Sequence, residues 1–193
     1  HSDLSERSRE SWRAAAANTW ALGVDGIMTF NLSADRGGRE LARGLWREFG
    51  APRNLIAKDK LYGIEHLQDD DYSFMFRSVP RAGRLPAPIS KLTTVTRVLP
   101  VADDIPGLAG RIRRLRLRLY LDHFREPDKA SVRLNGEKLA AISDQPQWLA
   151  ADVPPHIMKK GANELAVTFE SGASASWTLT LRSVELSVQY TDA

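Results

Sequence analysis

The sequence predicts an α+β protein in which an N-terminal α/β segment is followed by an antiparallel β-sandwich. Apolar side chains recur at helical spacing from 4 to 63, whereas apolar and polar side chains alternate from 92 to 190, as they do in strands with one solvated face. A stretch with several prolines and glycines separates the two patterns. We therefore expect an α/β segment at 1–63, a linker at 64–90 and a sandwich domain at 91–193.

The α/β segment is expected to contain a helix, a buried strand and a second helix. Ser5 is placed to cap the first helix and Gly23 to end it. The largely apolar run 24–32 predicts a strand covered on both faces, which is typical of parallel sheets, and 39–49 predicts the second helix. One such strand cannot form a parallel sheet alone. We therefore expect the apolar helix faces to pack on the sandwich or on another copy of the chain, as a homo-oligomer.

Short strands separated by turn residues predict the sandwich. The predicted strands cover 91–101, 110–121, 130–139, 164–169 and 177–190. In the second of them, leucines alternate with Arg114, Arg116 and Arg118, so the leucines face the core and the arginines share the other face. This arginine row could bind a polyanion such as nucleic acid, but no aromatic residues interleave with the arginines. We therefore expect a solvated sheet face and no nucleic-acid partner.

The composition is that of a folded globular protein, with 42% hydrophobic and 26% charged residues. The apolar runs are too short for a membrane-spanning helix, so no membrane partner is expected. The absence of cysteine excludes disulfides and thiolate metal ligands but leaves the cellular compartment open. His66, His123 and His156 lack the paired spacing of zinc ligands, and the acidic run 69–71 lacks the spacing of a calcium loop. Neither a metal nor another cofactor is predicted.

Two motifs in the predicted sandwich carry a resemblance to a known group of domains. Asn135-Gly136, a pair that favours a tight hairpin, lies between two strand-like stretches. The run 160–167 reads Lys-Gly-Ala-Asn-Glu-Leu-Ala-Val. Together with Trp148 and 151–154 between them, these motifs resemble the galactose-binding-domain-like jelly rolls of glycoside hydrolases over about forty residues. The resemblance implies a jelly-roll-like sandwich.

The N-terminal segment carries a second resemblance, to the end of the (β/α)8 barrel in bacterial glycoside-hydrolase-like proteins. The stretches that carry it are 13–18, 23–27, 45–50 and 58–62, together with Phe30-Asn31. The resemblance implies that the chain is the C-terminal region of such a protein and contains the last strand-helix units of a TIM-barrel-like domain. Because the sequence starts at His1 without an initiating Met, we expect the natural N-terminus to lie upstream. A secreted or periplasmic parent is one alternative for the compartment.

The resemblance also implies a parent enzyme that hydrolyses glycosidic bonds, with carbohydrate and the upstream catalytic domain as the partners of this chain. Hydrolysis of this kind uses two carboxyl groups that flank the scissile bond. In the barrels that the chain resembles, these groups come from earlier strands. No catalytic residue is therefore predicted here, and we expect the chain alone to be inactive.

Four residues are candidates for carbohydrate binding. Phe30 and Asn31 come at the C-terminal end of the predicted strand, where barrel enzymes bind substrate, although Asn31 could instead satisfy loop backbone. Trp148 and Trp177 could stack on sugar rings or fill the space between the sheets. Three functions stay open: the C-terminal portion of a glycoside hydrolase with an accessory sandwich, a carbohydrate-binding module, and a purely structural domain.

Overall fold

The computed structural model describes residues 8–28, 38–64, 85–125, 128–171 and 178–191, and its regular structure is mainly antiparallel β-strand. The helices are α1 (Arg9–Ala21) and α2 (Gly38–Phe49). The strands are β1 (Lys60–Gly63), β2 (Ala87–Ile89), β3 (Thr94–Val101), β4 (Ile112–Asp122), β5 (Lys129–Leu134), β6 (Glu137–Leu139), β7 (Ile142–Gln145), β8 (Trp148–Asp152), β9 (Gly161–Ser171) and β10 (Leu179–Tyr190). No helix in the described ranges is long and apolar enough to cross a membrane.

The strands form two sheets that pack face to face. The larger sheet has the order β1-β10-β4-β8-β7, with β2 also paired to β10, and the smaller sheet has the order β3-β9-β5-β6. The pairings within both sheets are antiparallel. One hydrophobic core contains Leu117 and Leu186 of the larger sheet together with Leu134 and Val167 of the smaller sheet, all buried. The expected antiparallel β-sandwich is confirmed.

The alternation of β4 decides which of its side chains reach this core. Leu115, Leu119 and Leu121 are buried, whereas Arg116 and Arg118 keep part of their surface in solvent. Because successive side chains of a strand point to opposite faces, the leucines pack inside the sandwich. The arginines lie on the outer face of the larger sheet, as the sequence pattern predicts.

The two motifs of the sandwich meet in one hydrogen-bond network at the turn between β5 and β6. Asn135 and Gly136 have φ values of 53° and 89°, the left-handed backbone that a tight hairpin requires. The buried Asn163 Oδ1 accepts from Asn135 Nδ2 and from Lys159 N, each at 2.8 Å. Its Nδ2 donates to Lys159 O at 2.8 Å and to Gly161 O at 3.1 Å. Asn163 therefore satisfies all of its side-chain donors and acceptors and joins the turn to the start of β9.

The N-terminal segment contains both predicted helices but lacks the predicted strand over its described part. The N-cap of helix α1 is Ser8 and not the predicted Ser5, which lies outside the described residues. The Ser8 Oγ accepts a hydrogen bond from the backbone N–H three residues later, and Gly23 follows the end of the helix with φ 81°. Residues 24–28 are not in a strand, and Met28 is 91% exposed. The strand prediction is wrong at 24–28, because no strand among the described residues pairs with this segment. Residues 29–32 lie outside the described part, and the TIM-barrel-like segment is not confirmed.

The two helices cover each other and pack on the sandwich. Ala14 of α1 belongs to the main core. Ala16 and Ala17 of α1 form a second core with Leu45 and Phe49 of α2. Helix α1 also contacts β1 and β3. Of the two ways in which the apolar helix faces were expected to be covered, the structure shows packing on the sandwich.

Strands β1 and β2 both pair with β10. They lie within the ranges 1–63 and 64–90, which the sequence assigns to the α/β segment and the linker. The larger sheet therefore includes segments that precede the range 91–193. The division of the chain into three parts stays a prediction.

Candidate functional site

The outer face of the larger sheet contains an open groove of about 450 Å³. Side chains of β1, β10, β4 and β7 line it, and most of them are arginine, carboxylate, amide or hydroxyl groups. The residues of this outer groove are Leu61, Arg114, Arg116, Arg118, Asp144, Gln145, Glu185, Ser187 and Gln189.

The antiparallel register brings these side chains together in rows that cross the strands. Arg116 of β4 is paired with Ser187 of β10 on one side and with Asp152 of β8 on the other. Arg118 is paired with Glu185 of β10. Because residues paired across neighbouring strands lie on the same face of a sheet, side chains distant in sequence converge on one surface.

Asp144 of β7 is the acidic centre of the groove. Its Oδ1 accepts a hydrogen bond from Arg116 Nη2 at 2.9 Å, and its Oδ2 lies 3.3 Å from Arg118 Nε. Among the described residues, Arg118 Nε has no aligned hydrogen-bond acceptor, so its contact with Asp144 is an ion pair. The side chains of all three residues are only 19% to 29% exposed. Salt therefore screens their attraction less than it screens a fully exposed pair.

Two further carboxylates balance the arginine row. Glu185 Oε2 lies 3.7 Å from Arg118 Nη1. Asp152 Oδ1 lies 3.7 Å from Arg116 Nη1 and 3.9 Å from Arg114 Nε. The three guanidinium groups of the row therefore face three carboxylates. A polyanion site would instead concentrate unbalanced positive charge on one face.

An aromatic pair borders the groove beside Arg118. Trp148 of β8 is paired with Tyr120 of β4, and their ring centroids are 5.3 Å apart with planes at 51°. The guanidinium carbon of Arg118 lies 4.3 Å from the centroid of the Trp148 ring, a cation–π contact. The Tyr120 hydroxyl donates a hydrogen bond to Gln147 Oε1, which orients the phenol ring. Trp148 is half-buried, so part of its surface reaches solvent next to the arginines.

Of the four residues predicted to bind carbohydrate, Trp148 lies beside the outer groove. Phe30, Asn31 and Trp177 lie outside the described residues. The structure therefore does not bring the four residues together, and their assignment stays a prediction.

Sequence reasoning missed the acidic half of the groove and the aromatic neighbour of the arginines. Tyr120 continues the alternation of the arginine row, so its place on this face was readable from the sequence. Asp144 and Glu185 come from other strands, and their approach depends on a register that alternation alone does not specify. No aromatic residue interleaves with the arginines in the sequence, but Trp148 reaches Arg118 from the neighbouring strand β8.

Within the ranges that the structure describes, no three histidine or acidic side chains are arranged to hold a metal ion.

A second charged cluster, the Glu48 cluster, joins the two helices and the segment before β1. The Glu48 carboxylate lies 2.7 Å from Arg13 Nε, 2.8 Å from Arg9 Nη2 and 3.3 Å from Lys58 Nζ. Burial alone would raise the pKa of Glu48, but the hydrogen bonds and charges of Arg13, with Lys58 and Arg9, lower this pKa from 4.5 to about 2. The cluster is a stabilising junction.

A third cluster is enclosed between β1, β10 and the segment after β3. Lys60 Nζ donates to Asp103 Oδ2 at 2.9 Å and to the Leu55 carbonyl, and the Tyr190 hydroxyl donates to the same Asp103 oxygen at 2.7 Å. Burial lowers the pKa of the Lys60 ammonium, although Asp103 opposes this effect. Burial also raises the pKa of the Tyr190 hydroxyl, and the Asp103 charge raises it further. Because the Lys60 side chain is fully buried, a ligand cannot reach it, and the cluster serves the fold.

No protein-family model and no curated protein matches this chain. Some solved structures match it at low sequence identity. A β-porphyranase of glycoside hydrolase family 86 from the human gut bacterium Bacteroides plebeius is 15% identical, with a TM-score of 0.44, and the match covers 70% of this chain and 21% of that one. Two structures of BuGH86 in complex with neoagarooctaose are each 11% identical, with TM-scores of 0.41 and 0.40, and the matches cover 70% of this chain and 20% of theirs. The chain thus spans about a fifth of the length of these proteins, and values this low transfer no function.

Proposed function

We propose that the chain is the C-terminal portion of a glycoside-hydrolase-like protein and that its sandwich is a non-catalytic domain that binds carbohydrate in the outer groove. The observation that supports the binding role is the combination, on one sheet face, of paired arginine and carboxylate groups with the half-buried Trp148 beside them. The relation to glycoside hydrolases rests on the resemblance of the Asn135-Gly136 and 160–167 motifs and of the N-terminal segment.

The chemistry of the groove suits a sugar chain. Neighbouring hydroxyl groups of a sugar can each donate and accept hydrogen bonds, and guanidinium, carboxylate and amide groups offer paired donors or acceptors at matching spacing. Arg116, Asp144 and Gln145 supply these groups to the lining of the groove. Trp148 supplies an aromatic surface for the apolar face of a sugar ring.

The chain alone is proposed to be inactive. Hydrolysis of a glycosidic bond needs one carboxyl group that protonates the leaving oxygen and a second that attacks or activates water. In the outer groove, Asp144 and Glu185 both contact Arg118, an arrangement that suits binding more than proton donation. We therefore assign the chemistry to the upstream catalytic domain of the proposed parent enzyme, which is also the proposed partner of the sandwich.

The test is affinity gel electrophoresis and a glycan array with the whole chain and with Trp148→Ala. We expect retardation by at least one polysaccharide and a loss of affinity of at least about tenfold in the variant, because an aromatic side chain at a binding face carries a large share of the affinity. Trp46→Ala is the matched control, since Trp46 is 47% exposed and lies on α2, away from the sheet. Binding that Trp148→Ala leaves intact would contradict the proposed site, and no binding to any glycan would contradict the function.

A purely structural role is the second candidate. It is favoured by the mutual ion pairing of the groove, in which Arg116 and Arg118 already have carboxylate partners. In that case the groove would be the polar outer face of a sheet and would bind nothing. The same gels separate the two functions, since a structural domain migrates equally with and without polysaccharide.

A further inference from the structure

We infer that the outer groove selects uncharged sugars over sulfated or uronic-acid polysaccharides, and that Asp144 sets this selectivity. The inference rests on the proposed carbohydrate-binding function and names its ligand class. A row of three arginines alone would instead suggest a site for an acidic polymer.

Asp144 already occupies the two more buried arginines of the groove. Arg116 and Arg118, the two more buried arginines of the row, share Asp144 at 2.9 Å and 3.3 Å. A sulfate or carboxylate group of a ligand would have to compete with Asp144 for both guanidinium groups. It would also approach the negative charges of Glu185 and Asp152, which lie 3.7 Å from Arg118 and Arg116 respectively.

Arg114 is the most exposed arginine of the row, at 51%, and its nearest carboxylate is Asp152 at 3.9 Å. An anionic group could reach Arg114, but Asp152 is 74% exposed on the same surface and would repel it. A hydroxyl group has no such conflict. It can donate to a carboxylate or accept from a guanidinium N–H without disturbing the charge balance.

Asp144→Asn tests this assignment with little change of shape. The variant keeps one carbonyl oxygen near the arginines but removes the negative charge that Arg116 and Arg118 share. We expect the groove to become an anion site, with an affinity for dextran sulfate at least about tenfold above that of the unmodified chain at low salt. Asp152→Asn is the matched control, because it removes the same charge from a more exposed side chain with longer contacts, and its gain should be smaller.

The measurements compare dextran with dextran sulfate and hydroxyethyl cellulose with carboxymethyl cellulose, together with a glycan array of neutral and acidic oligosaccharides. For the unmodified chain, we expect binding to a neutral glycan that changes less than about twofold between about 50 and about 500 mM NaCl. We expect the dextran sulfate binding of Asp144→Asn to be lost at the higher salt concentration. Far-UV circular dichroism checks that both variants are folded.

Each outcome decides a different part of the proposal. Binding of the unmodified chain to an acidic polymer in preference to its neutral counterpart would overturn the selectivity and leave the carbohydrate-binding function standing. A folded Asp144→Asn variant without any gain, or with no more gain than Asp152→Asn, would overturn the role of Asp144. A chain that binds no glycan, neutral or acidic, would overturn the proposed function and this inference with it.

Discussion

Replacing Glu48 by glutamine is expected to destabilise the protein by about 3 kcal/mol, because a tenfold change in an acid dissociation constant corresponds to about 1.4 kcal/mol and the pKa of Glu48 falls from 4.5 to about 2. The carboxylate is 8% exposed and contacts Arg13, Arg9 and Lys58. Removal of one partner from a buried ion pair independently costs about 3 to 5 kcal/mol. The lower value applies here, since Arg9 and Lys58 are 44% and 37% exposed and can return to water.

The same pKa gives the sign of the pH dependence. The folded-state pKa of Glu48 is depressed, so the charged carboxylate stabilises the fold fully above its unfolded-state pKa of about 4.5. This stabilisation is lost as the pH falls from about 4.5 towards about 2. The difference in unfolding free energy between the unmodified chain and Glu48→Gln should therefore shrink across this acidic window.

Urea unfolding, followed by far-UV circular dichroism and tryptophan fluorescence at about pH 7 and about pH 3, measures this difference. Glu137→Gln is the matched control, because Glu137 is exposed on β6 and its replacement should change the unfolding free energy by less than about 0.5 kcal/mol. A loss in Glu48→Gln as small as that of the control would refute the reasoning. So would a loss that is equally large at both pH values.

Two further substitutions test the buried polar groups by the same unfolding measurements. Asn163→Ala should lower the unfolding free energy by about 3 kcal/mol, because it removes four hydrogen bonds from a fully buried side chain. The control Asn18→Ala removes one exposed hydrogen bond and should lower it by less than about 1 kcal/mol. Equal losses in the two variants would contradict the importance of the Asn163 network. Lys60→Met should cost about 3 kcal/mol, because Asp103 loses its cation. Adding Asp103→Asn should recover part of that loss, and strictly additive effects would show that the pair is not coupled.

The sandwich was predictable where a strand alternates over its length. β4 has that pattern, and Asn135-Gly136 marked the hairpin between β5 and β6. β7 and β8 were not predicted, because neither has an alternating pattern. β7 has no buried position, whereas β8 buries the three successive residues 149–151. Alternation reveals a strand only when one of its faces is solvated and the other is not.

The segment 24–32 shows the opposite kind of error, a strand that was predicted but is not formed over its described part. Its apolar composition is that of a strand buried on both faces, but a strand also needs neighbours that bond its backbone. Composition does not tell whether such neighbours exist. Over 24–28 the chain instead runs without strand pairing, and Ile27 packs partly on the second core.

The residues of the candidate site were predictable in part, but the contacts between them were not. The arginine row and Trp148 stood out in the sequence, one by its period and the other by its residue type. Their contact, with Arg118 over the Trp148 ring, depends on the pairing of β4 with β8. Asp144 reaches the arginines through a further pairing, of β7 with β8, that also contains a register shift. A shift of one residue would turn these side chains to the other face, so the sequence pattern alone could not place them.

The position of β10 in the larger sheet has a consequence for the order in which the protein folds. β10 pairs with β1, β2 and β4, and the register joins Lys60 to Val188, with most of the described chain between them. Contacts this distant in sequence form slowly, because the chain loses the entropy of closing the long intervening loop before the contacts form and contribute favourable free energy. During synthesis, the edge of β4 stays open until 179–190 has left the ribosome. A nascent chain halted before that point exposes an unpaired strand of alternating leucines, a template on which other chains can aggregate.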